Sequence, residues 1–305
     1  MGNSVPWNSQ PLDAWSDQYA EGKFIDLAGL RTHYLERGQG DPVLLIHGFN
    51  MDSHTWVKNV DQLAAHFKVY ALDLWGLGFS TREPLDYGYA LFADQIRLFM
   101  DALGIDAASL VGHSMGGGTS IVFSLSHRDR VKKLVLLDST GIPNPLPFRA
   151  KIFKLPGVAE FLLALPTDRI RRMNLTDIWI HNRELLTDSY FEKLVRFQKI
   201  RGTSEALLTI LRKDFFNTLS EEIRALGELE IPTLIIWGRE DRSVPLRCGQ
   251  EIQRLLKGST LEIIDDAGHL ANFDRPEVFN DLVISFLSEQ AAAPRAAEDS
   301  IGAAS

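Results

Sequence analysis

The chain has 305 residues, with 32 Lys or Arg against 40 Asp or Glu, for a net charge of −8. That acidic balance argues against nucleic acid as a partner, because phosphate binding needs clustered Lys and Arg. A hydrophobic fraction of 45% with 24% charged residues excludes a mostly disordered chain and supplies material for a core. At about 150 residues per domain, the length fits two domains or one large domain with an insertion. The lone cysteine, Cys248, excludes an internal disulfide and a multi-cysteine zinc site.

Residues 1–22 form an extension with no apolar run and carry Asp13 and Asp17, so no secretory signal is expected. The apolar runs VLLI at 43–46 and LVLL at 134–137 are too short to cross a bilayer. A cytoplasmic protein with no membrane partner is expected. Short aliphatic runs at Val43–Ile46, Val69–Leu72, Ser109–Val111, Leu134–Leu137, Leu234–Trp237 and Leu261–Ile264 are apolar at nearly every position, as strands buried on both faces are. Between them Leu91–Leu103 sets Phe92, Ile96, Phe99, Met100 and Leu103 at helical spacing. A last helix is predicted to start at Asp274 as its cap, with Pro276 and Glu277 in the first turn. Alternating strands and helices imply an α/β fold with right-handed crossovers.

The alternation breaks between about 142 and 227. Pro143, Pro145 and Pro147 open a segment with helix-like stretches around 150–165, 167–180, 187–200 and 204–215, and no strand signal appears before Ile231. The predicted organisation is therefore a core of 23–141 and 228–290, an inserted helical cap of 142–227, and a flexible tail of 291–305 without core-forming periodicity.

The strongest chemical signal is Gly112-His113-Ser114-Met115-Gly116, directly after a predicted strand and before a helix rich in Gly, Ser and aliphatics. A strand-to-helix turn of this kind strains the serine backbone and pushes its hydroxyl out at the carboxyl end of the sheet. The amide of Met115, at the helix start, points where an oxyanion would form. A serine hydroxyl needs a base. Of eight histidines, His269 is the best placed, in Asp265-Asp266-Ala267-Gly268-His269 after a strand and before the final helix. His113 is expected to pack beside the serine, and no histidine pair has metal-ligand spacing, so neither metal nor cofactor is expected. Asp241, in the turn after Leu234–Trp237, is the expected carboxylate partner of His269; Asp138, at the end of Leu134–Leu137, is the runner-up. A second oxyanion donor is expected from His47-Gly48-Phe49-Asn50, at the Phe49 amide, with His47 as a structural hydrogen-bonder.

These residues resemble the α/β-hydrolase superfamily. The resemblance covers roughly residues 23–290 and rests on HGFN at 47–50, DLWGLGFS at 73–80, GHSMGG at 112–117, GREDRSVP at 238–245 and DDAGHLANFDRPE at 265–277, with nucleophile, acid and histidine in the chain order Ser114, Asp241, His269. It implies a mostly parallel eight-stranded sheet with helices on both faces, and a helical lid where 142–227 stands. The serine separates the chain from the haloalkane dehalogenase and epoxide hydrolase branches, which use Asp at that turn. Ring-cleavage C–C hydrolases typically show Asn before the serine and Trp after the histidine; here His113 and Leu270 stand there. Cofactor-free perhydrolases share Met after the serine but usually lack a long cap.

The expected activity is hydrolysis of small to medium carboxylic esters with water, through an acyl-enzyme. The alternatives are cleavage of a C–C bond in a vinylogous diketone and, on the same fold, a non-catalytic small-ligand receptor. Phe153, Phe161 and Trp179 are candidates for an apolar substrate pocket in the cap. For the run Asp168-Arg169-Ile170-Arg171-Arg172 a solvated helix face is the expected role, and contact with a substrate carboxylate the sharper one. An apolar cap face, if exposed, would allow a homodimer.

Overall fold

The computed structural model describes residues 5–144 and 155–289. Eight strands, β1 Lys23–Leu27, β2 Leu30–Arg37, β3 Pro42–Ile46, β4 Lys68–Leu72, β5 Ala108–His113, β6 Val131–Leu137, β7 Thr233–Gly238 and β8 Thr260–Ile264, form one sheet in the order β1-β2-β4-β3-β5-β6-β7-β8. β2 runs antiparallel to both its neighbours, and every other pairing is parallel. The apolar runs mark β3 to β8. The hairpin β1–β2 lies at the sheet edge, where exposed and buried positions mix and no apolar run arises. Its two turn residues, Ala28 and Gly29, have φ of 55° and 84°, as a tight two-residue hairpin of type I′ requires.

Both faces of the sheet are covered. Leu44 and Ile46 of β3 face one apolar cluster, which includes Phe92, Ile96 and Phe99 of the helix Tyr89–Ala102 and Ile121 and Phe123 of the helix Met115–Ser126. Val43 and Leu45 face the other, with Leu63 and, from the last helix, Phe279 and Val283. Alternate residues of one strand thus enter two cores, which is why the strand reads as unbroken hydrophobicity.

β3 connects to β4 on one side, whereas β5 connects to β6 on the other. The loops leaving β3 and β5 therefore diverge, and a crevice opens at their carboxyl ends. The loop 47–50 and the turn at Ser114 flank that crevice. Between β6 and β7 the described residues are helical, including Val158–Ala164, Arg169–Asn174, Asp188–Val195, Thr203–Lys213 and Ser220–Gly227. The N-terminal segment packs on these helices through buried Trp7 and Trp15 and a parallel bridge from Gln10 to Ile200. Among the described residues, no helix is long and apolar enough to cross a membrane.

The final helix spans Pro276–Ser288 with Arg275 as its cap, not Asp274. The carboxylate predicted to cap it is engaged elsewhere, as described below.

A buried ion pair ties the edge hairpin to the loop after β4. His33 Nδ1 lies 2.7 Å from Asp73 Oδ2, and its Nε2 donates to the Glu21 carbonyl at 2.6 Å. Burial lowers the His33 pKa, but the Asp73 charge and hydrogen bond outweigh it, and the net shift is upward from 6.5. Asp73 is shifted down from 3.8: burial raises it, and the His33 charge and hydrogen bond outweigh that. A raised histidine contributes stability that is complete below its unfolded pKa and lost as pH rises through the folded one. A depressed aspartate contributes stability present above its unfolded pKa and lost as pH falls through the folded one. The pair is therefore most stabilising between about pH 4 and 6.5. The Tm difference between the natural protein and His33→Gln should shrink on the alkaline side, from pH 6 to pH 9. A difference that grows over that range would contradict the pairing.

Candidate active site

Ser114 caps the helix Met115–Ser126 with φ 52° and ψ −118°, a backbone conformation that costs a non-glycine residue about 1–3 kcal/mol. The two flanking glycines are required by close approach. A methyl group on Gly112 would stand 2.5 Å from the Gly116 carbonyl oxygen, and one on Gly116 would overlap the Ile46 carbonyl of β3. The turn is held by Ser114 N–H donating to the Leu137 carbonyl at 2.9 Å, and by Gly117 N–H donating to the Ser114 carbonyl at 2.9 Å.

Three side chains from the carboxyl ends of β5, β7 and β8 meet at this turn. The Ser114 hydroxyl lies 2.9 Å from His269 Nε2, and His269 Nδ1 lies 2.7 Å from Asp241 Oδ2. With its Nδ1 proton donated to the carboxylate, the imidazole presents Nε2 as acceptor to the serine hydroxyl. The other Asp241 oxygen accepts the amides of Ser243 and Val244 at 2.7 and 2.9 Å. All three residues are buried.

Asp138 does not reach His269 by any hydrogen bond. Its backbone turns to φ 44°, and its Oδ1 accepts the Gly238 amide at 2.8 Å. Burial first, and the neighbouring Asp241 charge second, hold it well above the ordinary carboxylate range, which favours its neutral form. Asp265 pairs with Arg239, and Asp266 with Arg275 at 3.0 Å.

The Met115 amide is the first of its helix, where no intrahelical acceptor exists. The loop after β3 presses on the serine: a methyl group on Gly48 would stand 3.0 Å from Ser114 Cβ. Phe49 follows in that loop and packs on Phe216, with ring centroids 5.4 Å apart. His47 donates from Nδ1 to the Gly48 carbonyl at 2.8 Å and accepts the Leu74 amide at Nε2 at 3.0 Å. Burial lowers its pKa, so it is a neutral structural group, as expected. His113 donates from Nε2 to the carbonyl of His269 at 2.7 Å, and burial holds it well below the ordinary histidine value. It thus positions the backbone of His269 as well as packing beside Ser114.

Asp274 has a positioning role that local sequence signals did not suggest. Its Oδ2 accepts the amides of Gly268 at 2.8 Å and His181 at 2.9 Å, and its Oδ1 accepts that of Asn182 at 3.0 Å. The Leu270 amide also donates to the Trp179 carbonyl at 3.0 Å. The loop carrying His269 is therefore bolted to the inserted helices. Asp274→Ala would leave three amides without their acceptor and should destabilise the fold by about 2–4 kcal/mol, measurable by urea denaturation. A change below about 0.5 kcal/mol would refute that role.

Of the predicted pocket residues, Trp179 lines a cavity between the inserted helices and the catalytic loops, together with Asn50, Arg171, Gln198 and Leu270. Phe161 does not belong to it. Its side chain is 66% exposed, because the face of Val158–Ala164 that packs inward is set by Ala159, the buried residue of that helix. Phe153 lies outside the described residues.

A serine on a strand–helix turn, a histidine and a buried carboxylate at the carboxyl end of a parallel sheet define a serine hydrolase. The chain belongs to the α/β-hydrolase fold family, whose sequence profile matches residues 41–276. It is 32% identical over 284 residues to the 2-hydroxymuconate semialdehyde hydrolase of Pseudomonas sp. strain CF600, covering 89% of this chain and 95% of that one. It is 28% identical over 284 residues to the 2-hydroxy-6-oxo-6-(2'-aminophenyl)hexa-2,4-dienoic acid hydrolase of Metapseudomonas resinovorans, covering 90% and 93%. A solved structure of the meta-cleavage product hydrolase of Pseudomonas fluorescens IP01 matches with a TM-score of 0.76 at 30% identity, over 87% of this chain and 97% of that one.

Proposed function

We propose that this chain is a serine hydrolase that cleaves a carbon–carbon bond beside a ketone, in a dienoate of the kind that its relatives are named for. The observation that carries the reading is the near full-length match to such hydrolases, together with the Ser114–His269–Asp241 hydrogen bonds. His269 takes the Ser114 proton as the oxygen attacks the ketone carbon. The amides of Phe49 and Met115 hold the resulting oxyanion. The carbon–carbon bond then breaks, its electron pair delocalised into the conjugated fragment, and His269 returns the proton to that fragment. Water, deprotonated by the same histidine, releases the acid from Ser114.

Ester hydrolysis is the second reading. It is favoured by Leu270 and His113, which stand where ring-cleavage hydrolases typically carry Trp and Asn. The first half of the reaction is the same, and the alcohol leaves with the proton of His269. The test compares a 2-hydroxy-6-oxo-dienoate, followed by loss of its chromophore, with p-nitrophenyl esters from acetate to dodecanoate. A kcat/KM about 100-fold higher on the dienoate supports C–C cleavage; the reverse order supports the esterase. Turnover of neither substrate, or turnover that survives Ser114→Ala, would overturn both.

A further inference from the structure

Residues 5–15 lie along the inserted helices and satisfy the end of one of them. The last carbonyls of the short helix Arg196–Lys199 need partners from outside it. Asn8 N–H donates to the Gln198 carbonyl at 3.0 Å, and the amides of Ser9 and Gln10 donate to that of Lys199 at 2.8 and 2.9 Å. Trp15 Nε1–H donates to that of Arg196 at 3.1 Å. The Arg201 amide donates back to the Gln10 carbonyl at 2.8 Å, and Lys199 Nζ to that of Val5 at 2.6 Å. Two cations lie against the buried Trp7 ring: the Arg171 guanidinium carbon is 3.7 Å and Lys199 Nζ 3.2 Å from its centroid. Desolvated contacts of this kind reach about 2 kcal/mol.

The Gln198 side chain connects this strap to the catalytic loops. It is buried, and Arg171 Nε donates to its Oε1 at 2.8 Å. A guanidinium only donates, so the Gln198 oxygen must face Arg171 and the amide nitrogen must face away from it. There Nε2 donates to Asn50 Oδ1 at 3.0 Å. Asn50 directly follows Phe49 and stands at φ 57°, a left-handed turn that sets the course of the chain next to the Phe49 peptide. The space left between Asn50, Arg171, Gln198 and Leu270 is about 10 Å³, enough for one water at most. A shift of Gln198 is therefore passed on to Asn50, not absorbed.

We infer that the N-terminal segment 5–15, acting through Gln198, is a positioning strap for the oxyanion loop: Trp7 and the backbone bridges fix Gln198, and Gln198 fixes Asn50 and the Phe49 amide beside it. The inference rests on the reading of that amide as an oxyanion donor. It makes Trp7 and Gln198 positioning residues, not catalytic ones.

The test does not depend on which substrate is turned over. A fluorophosphonate ester phosphonylates a nucleophilic serine: the serine oxygen bonds to phosphorus, fluoride leaves, and the phosphoryl oxygen takes the place of the oxyanion. The second-order rate of labelling is followed by mass spectrometry from about pH 5 to 9. Gln198→Met should lower its plateau by about 10–100-fold. The midpoint of the pH profile should stay in place, because the His269–Asp241 bond is untouched. Trp7→Ala should act in the same direction. Trp7→Phe keeps a ring for the two cations and should restore most of the rate, and this pair carries the test if Gln198→Met folds poorly. A rate within about twofold of the natural protein in either folded variant, or a midpoint that moves with the plateau, would overturn the strap and leave the site standing. No labelling of the natural protein, or equal labelling of Ser114→Ala, would overturn the reading of the site and the strap with it.

Discussion

Ser114→Ala should lower kcat by about 10⁴–10⁶-fold on whichever substrate the protein turns over, with little change in Tm. The hydroxyl is the atom in line with His269 Nε2, at 2.9 Å, and no other nucleophile stands in that position. Loss of the nucleophile leaves the oxyanion donors and the binding surface, which alone supply only a residual acceleration. The fold should tolerate the change because the turn is held by backbone bonds, from the Ser114 amide to Leu137 and from Gly117 to the Ser114 carbonyl. Alanine keeps both. Single-turnover kinetics with the variant would check this, and a loss of less than tenfold would remove Ser114 from the reaction. A collapse in Tm would mean that the side chain is structural instead.

Asp241→Asn should cost about 10³–10⁴-fold in kcat. The carboxylate accepts the Nδ1 proton of His269 at 2.7 Å, and an amide in its place can donate to Nδ1, turning the imidazole to the tautomer that cannot take the serine proton. The loss should be visible across the whole pH range in which the natural protein is active, since it is a loss of tautomer and not of a titration. Asp138→Asn is the matching control. Asp138 accepts the Gly238 amide and has no bond to the histidine, and the neutral form that burial and Asp241 favour is closely mimicked by asparagine. Its cost in kcat should stay below about tenfold. A larger loss in Asp138→Asn than in Asp241→Asn would exchange the roles of the two carboxylates.

Much of the fold was legible because its signals are local. A strand covered on both faces must be apolar at successive positions, so β3 to β7 stand out as runs. The hairpin β1–β2 was not marked this way, since an edge strand meets solvent and mixes polar with apolar positions. Ser114 and His269 were legible for a similar reason: each sits in a turn whose glycines or acidic neighbours lie within a few residues.

Contacts between distant segments were another matter. Asp138 and Asp241 both end a strand, and both read as partners for the histidine. The choice between them comes from the left-handed backbone of Asp138, which turns its carboxylate onto Gly238, 100 residues away. Asp274 reads as a helix cap, yet its oxygens are taken by amides of residues 181, 182 and 268. Arg171 stands in a run of charges that resembles a solvated face, and packing alone buries it beside Trp7 while leaving Arg169 outside. The sequence by itself determined the class of fold and singled out Ser114 and His269, because periodicity and turn chemistry are properties of neighbouring residues. Tertiary structure decided which carboxylate reaches His269, which one clamps its loop and which arginine is buried, because a hydrogen bond or a buried charge depends on what another part of the chain brings to it.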